Sequence, residues 1–550
     1  LSSGYIKGIG EKTARRIYEH FGDKALDILD REPKRLLEVR GISPKKLERI
    51  SDSYMETRGA RDIITLLSPF GIAPKRAVRF FKIYGRDAAD IIRQHPYRLC
   101  EVRGIGFKTA DEIAKSVGFD PCGEERIDAA LLHVLKEAEN GGNLFKNAGN
   151  LCIPKAMLVV KCIELLETRE ITERMVVARC RELLNRNEIT LYQNQAYRYS
   201  TAKAEEQVAM RVRERIRQGD THIHADLDAE IARIERKLGV TLASEQKKAV
   251  KTCLCSPISI ITGGPGTGKT MIQKFILEIY QKLKPAGSIA CCAPTGRAAR
   301  RMEQATGHPA STIHKALGLL ADSDGEFGEP TMLDADLVIA DEVSMLEVTL
   351  FDALLRAMKP SARMILVGDA NQLPPVGAGN ILRDLLGSEL FASVELTEIF
   401  RQSRDSLIVV NAHRINKGEY PEFNDADNDF FLLSCKDKSQ AADKLARLVA
   451  RRLPAAYGVD PVDDIQVLSP TRKGEAGTAL FNEVLQRTLN PPAADKGEVL
   501  FQGRLFRVGD KVMQVQNNYE LPVVLTDTGE VSQGLFNGDV GRIVDIDHAD

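Results

Sequence analysis

Four stretches near the N-terminus repeat one pattern of polar and apolar positions. Each begins with Gly-Ile and a small residue, continues with Lys, Arg or Thr, and then shows the apolar spacing of an amphipathic helix. The stretches are Lys7–Gly22, Val39–Ile50, Pro69–Gly85 and Val102–Gly118. A pattern that returns about every 30 residues predicts tandem structural units, here helix, tight turn and helix.

The turns of these units are candidate anion sites. Glycine tolerates a positive φ, so a sharp turn can present backbone N–H groups at the start of the next helix. Residues 1–118 hold 24 Lys and Arg against 16 acidic residues, a net charge of +8, whereas the whole chain carries −1. The units resemble helix–hairpin–helix repeats, which grip the DNA backbone without reading its sequence. The candidate contacts are Gly8, Gly10, Lys12, Gly104, Gly106 and Lys108. The second and third units have Ser43 and Ala73 at the second glycine position, so a purely structural role stays open for them.

Residues 119–200 carry a different pattern. Apolar periodicity predicts helices over Ile127–Ala138, Lys155–Leu166 and Val176–Leu184, with Thr172 as the N-cap of the last one. An alternating run then turns at Gln193-Asn194, which indicates a β-hairpin. We expect a winged-helix-like module that either contacts DNA or braces its neighbours, and a helical connector over residues 201–235.

A Gly-rich loop follows an apolar strand in the middle of the chain. The β-branched run Ser256–Thr262 leads into GGPGTGKT, and Met271–Leu283 has a helical pattern. In this strand–loop–helix context the loop predicts a phosphate cradle, in which Lys269 reaches the β- and γ-phosphates and Thr270 offers a hydroxyl to Mg²⁺. The cradle residues are Gly263, Gly264, Pro265, Gly266, Thr267, Gly268, Lys269 and Thr270.

Three further segments supply polar groups suited to nucleotide hydrolysis. Asp341 and Glu342 follow the strand 336–340, where Asp341 would hold Mg²⁺ and Glu342 would activate water. Gln372 follows a third strand, Met364–Val367, and is a candidate γ-phosphate sensor. Arg401 is a candidate arginine finger, although such an arginine taken alone is more often a surface residue.

One local device occurs twice and predicts two similar lobes. Residues 288–302 read as strand, Ala-Pro-Thr-Gly-Arg and helix, and residues 464–485 read as strand, Ser-Pro-Thr-Arg-Lys-Gly and helix. Each would place a Thr hydroxyl, free amides and an Arg at a helix N-terminus, which suits one phosphate. Thr471, Arg472 and Lys473 are therefore candidate DNA contacts of a second lobe, with a simple helix-capping turn as the alternative.

Composition excludes several other classes. No apolar run approaches the roughly 20 residues that cross a bilayer. The ten cysteines form no C-x-x-C pair, which argues against a zinc knuckle, and a disulfide framework is improbable in a chain of 550 residues. We expect reduced thiols and a cytoplasmic protein.

In order along the chain, the motifs resemble those of superfamily 1 helicases, and most closely the RecD branch. They are SEQK at Gln246, GGPGTGKT, APTGRAA, STIHKAL, DEVSM, GDANQLPPVG and LTEIFRQ. The repeats in front resemble the long RecD-like helicases that work without RecB and RecC partners. The later motifs of the family do not occur before Asp550, so we expect the natural protein to be longer at both ends.

The resemblance implies roles for further residues. Gln246 would read adenine, and 318–332 would form a β-hairpin used as a strand-separating pin. An SH3-like barrel would lie at residues 500–550. Contacts to the single-strand backbone would come from Pro294, Thr295, Gly296, Arg297, Thr312, His314 and Lys315.

The sequence thus predicts a multidomain α/β protein. Its expected parts are an all-α helix–hairpin–helix module (1–118), a winged-helix-like module (119–200), a connector (201–235), a first RecA-like parallel-sheet lobe (236–385), an incomplete second RecA-like lobe (386–499) and a partial SH3-like β insertion (500–550). We expect a monomeric ATP-dependent DNA helicase that uses ATP and Mg²⁺ and acts on single-stranded and forked DNA, with 5′→3′ movement. A DNA-stimulated ATPase that does not unwind, or a DNA-binding scaffold with a regulatory nucleotide site, are the alternatives. An exonuclease is disfavoured because no second carboxylate cluster is evident.

Overall fold

In the described residues of the N-terminal quarter, helices are the regular structure, as the repeats predict. The computed structural model describes residues 9–547 except 10, 59, 103, 142–143, 146–148, 219–222, 224, 320–327, 399–405, 424–428, 436, 438, 516 and 525–530. The helices of the quarter are Glu11–Phe21, Ala25–Arg31, Pro44–Arg58, Arg61–Leu67, Pro74–Tyr84, Ala88–Gln94 and Phe107–Ser116.

Each predicted turn precedes a helix and buries its isoleucine. Ile42, Ile72 and Ile105 are buried, while the small residues on either side of each are exposed. Gly41 and Gly104 adopt φ of +95° and +92°, which a side chain would strain. The buried isoleucine therefore fixes each turn to the core, and the exposed residues on either side leave the backbone of the turn open to solvent. Gly8 and Gly10 lie outside the described residues.

The four repeats belong to two hydrophobic cores. The first two repeats share a core of their own, which runs from Ile9 to Tyr54. The last two share a core with the following module, which runs continuously from Ile63 to Ala196. Residues 60–200 therefore fold as one packed unit, although their sequence patterns differ.

The module after residue 118 has the predicted winged-helix-like order. Its helices are Glu124–Asn140, Lys155–Leu166 and Glu173–Asn185, and Thr172 caps the last by accepting from the Met175 N–H. Strands β1 (Cys152–Pro154), β2 (Ile189–Tyr192) and β3 (Gln195–Arg198) form a sheet in the order β1-β3-β2. Gln193 and Asn194 take positive φ in the hairpin turn, as expected.

A buried ion pair joins this module to the last repeat. Arg126 donates through Nε and Nη2 to the two carboxylate oxygens of Asp111 at 2.7 and 3.0 Å, and Tyr97 donates to the same carboxylate at 2.7 Å. Burial alone would raise the pKa of Asp111, but the hydrogen bonds from Arg126, Lys115 and Tyr97 outweigh it and hold the pKa at about 2.

The connector packs against the central lobe. Its helices are Tyr199–Gln218 and Leu227–Leu238. From the first, buried Arg215 donates to the carbonyls of Leu355, Met358, Lys359 and Ala362, at 2.5 to 3.3 Å. One guanidinium thereby satisfies the carbonyl end of a neighbouring helix.

The central lobe is a parallel sheet with helices on both faces, and this confirms the first RecA-like lobe. Its strands are β4 (Ile258–Gly263), β5 (Ile289–Ala293), β6 (Ala310–Thr312), β7 (Leu337–Ala340), β8 (Arg363–Gly368) and β9 (Ala392–Leu396). They lie in the order β6-β5-β7-β8-β4-β9, and two apolar cores cover the two faces. The covering helices are Ser244–Cys255, Lys269–Leu283, Gly296–Thr306, Ile313–Ala316, Val348–Ala357 and Ile381–Gly387. β9 completes this sheet, although it lies beyond residue 385.

The described part of residues 397–497 contains helices and loops, and no strand. Its helices are Leu407–Asn416, Ser439–Arg447, the π-helix Leu448–Arg452, Leu453–Tyr457 and Thr478–Leu489. The predicted strand at 464–468 is not formed, because the described residues of this segment offer it no partner strand. Within the described ranges the chain therefore contains one parallel sheet.

The last region is made of short antiparallel strands, as predicted for an SH3-like unit. These are β10 (Glu498–Phe501), β11 (Arg504–Arg507), β12 (Lys511–Met513), β13 (Asn518–Val524), β14 (Val531–Leu535) and β15 (Val540–Arg542). They pair as β10–β11, β12–β15 and β13–β14. Over the described ranges, the structure contains no helix with the length and apolarity that a bilayer crossing requires.

We predict that Arg126→Met lowers the free energy of unfolding by about 3–5 kcal/mol, because it leaves the Asp111 carboxylate buried without its partner. The change is measured by urea denaturation followed by circular dichroism. The matched control is Arg98→Met, which removes the exposed pair with Glu101 and should cost less than about 1 kcal/mol.

The same pair predicts a pH dependence. Because the pKa of Asp111 is lowered on folding, its contribution is complete above the ordinary aspartate pKa of 3.8 and is lost as the pH falls towards about 2. A loss of less than 1 kcal/mol at neutral pH for Arg126→Met would contradict this view of the pair.

Candidate active site

The Gly-rich loop lies at the carboxyl end of β4, between a buried strand and a helix. Every residue of β4 is buried, and the helix Lys269–Leu283 begins directly after the loop. Gly266 and Gly268 take φ of +75° and +81°, so the backbone can curl around a small anion. A Cβ on Gly263 would lie 2.9 Å from Leu396, which shows how closely the loop packs against β9.

The Lys269 amine is held by the loop itself. Its Nζ donates to the carbonyls of Gly263 and Gly264, at 2.6 and 3.0 Å. Burial lowers the pKa of Lys269, while the nearby carboxylates of Asp369, Glu342 and Asp341 act in the opposite direction. A phosphate oxygen would offer this amine a charged partner in place of two neutral carbonyls.

Asp341 and Glu342 lie at the carboxyl end of β7. The Glu342 N–H donates to Asp341 Oδ1 at 2.9 Å, and Glu342 takes the left-handed φ of +51°. Burial is the larger cause that raises the pKa of Glu342, and the adjacent Asp341 charge adds to it. A carboxylate with a raised pKa is suited to accept a proton from water.

These groups line one cavity of about 310 Å³. The structure brings together the predicted Lys269, Thr270, Asp341, Glu342 and Gln372 around it. The remaining lining residues are Pro265, Gly266, Thr267, Gly268, Ala298, Arg301 and Met302. The lining suits a chain of phosphates, because glycine residues of the loop, a lysine and an arginine surround the cavity. Thr270 and Asp341 are the residues that would hold Mg²⁺, since this ion is commonly held by one or two carboxylates together with substrate phosphates.

Sequence reasoning missed two charged residues of this site. Arg301 shares one helix face with Ala298 and Met302, at the spacings i, i+3 and i+4, and this spacing was its available signal. Asp369 follows β8 as Asp341 follows β7, and it is buried, with its Oδ1 accepting from the Asn371 N–H at 3.0 Å. Polar residues directly after parallel strands meet at one edge of the sheet.

Gln246 touches the loop, yet it does not line the cavity. Its Nε2 donates to the Thr267 carbonyl, and its Oε1 accepts from the Ala243 N–H, both at 3.0 Å. The side chain therefore fixes the loop against the helix Ser244–Cys255, and its contact with adenine stays a prediction. Arg401 lies outside the described residues.

The predicted DNA turns of the first lobe lie at the ends of β5 and β6. Thr295 caps the helix Gly296–Thr306 by accepting from the Ala298 N–H, and Thr312 caps the next helix by accepting from the Lys315 N–H. Arg297 and Lys315 are exposed. Burial lowers the pKa of His314, which therefore favours its neutral form. Pro294 is half-buried beside Thr295.

The SH3-like unit covers part of this turn. A Cβ on Gly296 would lie 2.7 Å from the side chain of Phe536, so only glycine admits this contact. Arg300 pairs with Asp539 at 3.0 Å and stacks over the Phe536 ring. The turn at Gly296 is therefore in contact with both the central lobe and the SH3-like unit.

The second copy of the strand–turn–helix pattern, at residues 464–485, differs from its prediction. Thr471, Arg472 and Lys473 are exposed, but the helix after them begins only at Thr478. The N–H groups of Thr478 and Ala479 donate to the carbonyls of Thr471 and Arg472, at 3.0 and 3.2 Å. The amides expected to be free are thus already satisfied, because a longer Gly-containing loop separates the Thr from the helix.

The pin predicted at 318–332 lies largely outside the described residues, which exclude 320–327. Its base is described: the Thr331 N–H donates to the Leu317 carbonyl at 2.8 Å, so the insertion leaves and rejoins the lobe at one point. In the N-terminal module, Gly106 precedes the helix Phe107–Ser116 directly, and Lys108 is exposed beside it. Lys12 lies in the first helix.

Family models match four parts of the chain. They are described as SAM-like helix-hairpin-helix tandem (residues 3–53), ATP-dependent RecD2 DNA helicase HHH domain (56–145), AAA domain (241–432) and ATP-dependent RecD-like DNA helicase SH3 domain (481–550). The chain is 30% identical to the ATP-dependent RecD2 DNA helicase of Deinococcus radiodurans, over 98% of its own length and 71% of the relative. The chain belongs to the RecD-like family of DNA helicases. The predicted family, the multidomain α/β fold class and the class of ATP-hydrolysing enzyme are thereby confirmed, whereas the described residues show no parallel sheet for the predicted second RecA-like lobe (386–499).

RecBCD enzyme RecD subunits match over about half of the chain. The RecBCD enzyme subunit RecD of Mycolicibacterium smegmatis is 31% identical, over 52% of this chain and 57% of that protein. The chain thus spans little more than half of that relative. The solved structure of a Pif1 helicase from Candida albicans matches 56% of this chain and 70% of its own chain, at 20% identity. Its TM-score of 0.32 is too low to support an argument.

We predict that ATP hydrolysis is lost as the pH falls through a Glu342 pKa above the ordinary glutamate value of 4.5, because the protonated carboxyl cannot accept a proton from water. The pH profile of kcat/KM measures this acid limb. Glu342→Gln should remove the limb and lower kcat on the order of 10²- to 10⁴-fold. Glu303→Gln, an exposed carboxyl on the helix Gly296–Thr306, should leave the profile unchanged; an unchanged profile in Glu342→Gln would refute the assignment.

Proposed function

We propose that this chain is the motor of an ATP-dependent DNA helicase that moves 5′→3′ on single-stranded DNA. The observation that carries the proposal is the single cavity that joins Lys269, Thr270, Asp341, Glu342 and Gln372 at the carboxyl edge of the sheet. The polarity is what the resemblance of the motifs to the RecD branch implies, and the similarity to the Deinococcus relative supports the helicase activity.

Six side chains of the cavity have proposed roles in hydrolysis. Lys269 leaves the loop carbonyls and pairs with the β- and γ-phosphates, while the loop amides surround them. Thr270 and Asp341 would hold Mg²⁺, which would supply charge neutralisation at the phosphates. Glu342 takes the proton of the attacking water, and Gln372 senses the γ-phosphate. Arg301 adds positive charge to the lining of the cavity.

One helix supports coupling between nucleotide and DNA. Gly296–Thr306 begins at the turn with Thr295 and Arg297, which we propose grips a backbone phosphate. One turn further along, Arg301 reaches the nucleotide cavity. A displacement of Arg301 on nucleotide binding therefore moves the DNA grip with it, because an α-helix moves as a rigid rod over so short a length. We propose that closure of a second lobe, with Thr471, Arg472 and Lys473, completes the stroke.

The N-terminal repeats are proposed to anchor duplex or junction DNA. Their exposed turns support this role, since open amides and lysines suit phosphate. For the winged-helix-like module we propose a bracing role instead, because its Gly149 carbonyl accepts from the Gly379 N–H of the central lobe at 3.1 Å. That bond lies at the end of the loop that carries Gln372.

We predict that the protein separates a forked duplex with a 5′ single-strand tail, and that Lys269→Ala abolishes both ATP turnover and unwinding while single-strand binding survives. A strand-displacement assay with both tail polarities, together with phosphate release, measures this. ATP consumption on single strands without strand separation at a 5′-tailed fork would instead identify a translocase. Unchanged ATPase in Lys269→Ala would refute the site.

We predict that removal of residues 1–58 weakens DNA binding and flattens its salt dependence, because each lost phosphate contact lowers the slope of log K against log salt by about 0.9 for duplex DNA. Residues 1–58 are the appropriate deletion, since a cut at 118 would divide the core shared with the next module. Lys108→Ala is the companion variant that leaves both cores intact. An identical salt slope in both variants would show that the repeats do not grip phosphates.

A further inference from the structure

A histidine from the helix after β9 packs directly on the phosphate loop. The helix is Leu407–Asn416, and its His413 ring faces Gly264. A Cβ on Gly264 would lie 3.0 Å from His413 Cε1 and 3.3 Å from Nε2. The absence of a side chain at Gly264 therefore lets the imidazole reach the loop backbone.

The imidazole Nε2 is buried and has no hydrogen-bond partner among the described residues. Buried polar atoms are almost always paired, so an unpaired one indicates a partner that arrives with a ligand or water. The nearby Gly264 carbonyl is already used, because it accepts from Lys269 and Thr267.

Neighbouring side chains hold the helix Leu407–Asn416 in place and so fix the position of His413. The Asn411 amide donates to the Glu422 carbonyl and accepts from the Glu422 N–H, both at 2.7 Å. Arg414 donates to the Tyr420 carbonyl at 2.8 Å and pairs with the Glu422 carboxylate at 2.9 Å. These polar side chains are satisfied within the chain, in contrast to His413 Nε2.

The point of contact lies at the β/γ end of the phosphate cradle. A phosphate-loop lysine reaches the β- and γ-phosphates. Here the Lys269 amine rests on the carbonyl of Gly264, the residue against which His413 packs. The α-phosphate end, at the start of the helix Lys269–Leu283, lies at the other end of the loop.

We propose that His413 is a further nucleotide-contact residue, whose Nε2–H donates to an oxygen of the terminal phosphate of ATP. The contact distinguishes ATP from ADP and links the phosphate loop to the helix Leu407–Asn416. This inference rests on the proposed ATPase function. It adds one residue, from a helix outside the sheet, to the five predicted residues that line the cavity. The tautomer with hydrogen on Nε2 makes this bond, as either tautomer is available to a neutral imidazole.

The test compares two substitutions of His413 in the whole chain. Affinities for Mg²⁺ with a non-hydrolysable ATP analogue, and for Mg²⁺ with ADP, are measured by isothermal titration calorimetry. His413→Phe keeps a ring against Gly264 without a donor, and it should weaken the ATP analogue by roughly tenfold or more while ADP changes less than about twofold. His413→Gln, whose amide nitrogen can reach the Nε2 position, should recover most of the affinity for the ATP analogue.

The controls separate this inference from the function on which it rests. Ile415→Ala, on the same helix at an exposed position (54%), should leave both affinities unchanged. If the parent protein binds the ATP analogue and Lys269→Ala does not, the ATP site stands. Equal losses for ADP and the ATP analogue in His413→Phe, no loss at all, or no recovery in His413→Gln would then overturn the role of His413 alone. Failure of the parent protein to bind the analogue would instead overturn the proposed function.

Discussion

The site depends on the convergence of parallel strands at one edge of a sheet. A buried strand must end in a turn, and where β4 ends, the turn carries unpaired amides at a helix N-terminus. The Lys269 amine donates to two carbonyls of this turn. The neighbouring strands β7 and β8 end at the same edge, so Asp341, Glu342 and Asp369 face the same amine.

The same edge also carries the turns proposed to contact DNA. The strands β5 and β6 end at the same edge as β4, β7 and β8, and their turns carry Thr295 and Thr312. The helix Gly296–Thr306 spans the distance between the turn and the cavity, with Arg297 near one and Arg301 at the other. Packing of Phe536 on Gly296 brings the SH3-like unit to this same place, because the glycine leaves room for an aromatic ring.

The N-terminal half is organised by cores more than by sequence repeats. The first two repeats have their own core, whereas the last two are continuous with the winged-helix-like module. The buried Arg126–Asp111 pair lies within that continuous unit, and Gly149 carries its contact on to the loop of Gln372. The last two repeats, from about residue 60 onward, are therefore connected to the central lobe through this packed unit. The first two repeats have a separate core.

Local chemistry determined what could be predicted from the sequence. The phosphate loop, the helix turns with buried Ile42, Ile72 and Ile105, and the hairpin at Gln193-Asn194 depend on neighbours in the chain, so their spacing was sufficient. Only the tertiary structure decided the rest, because contacts between distant segments leave no periodic signal. It placed Arg301 at the cavity and Asp369 near the Lys269 amine, set His413 on Gly264, and put β9 in the first sheet. It also left the predicted strand at 464–468 without a partner, since a strand is stable only when another pairs with it.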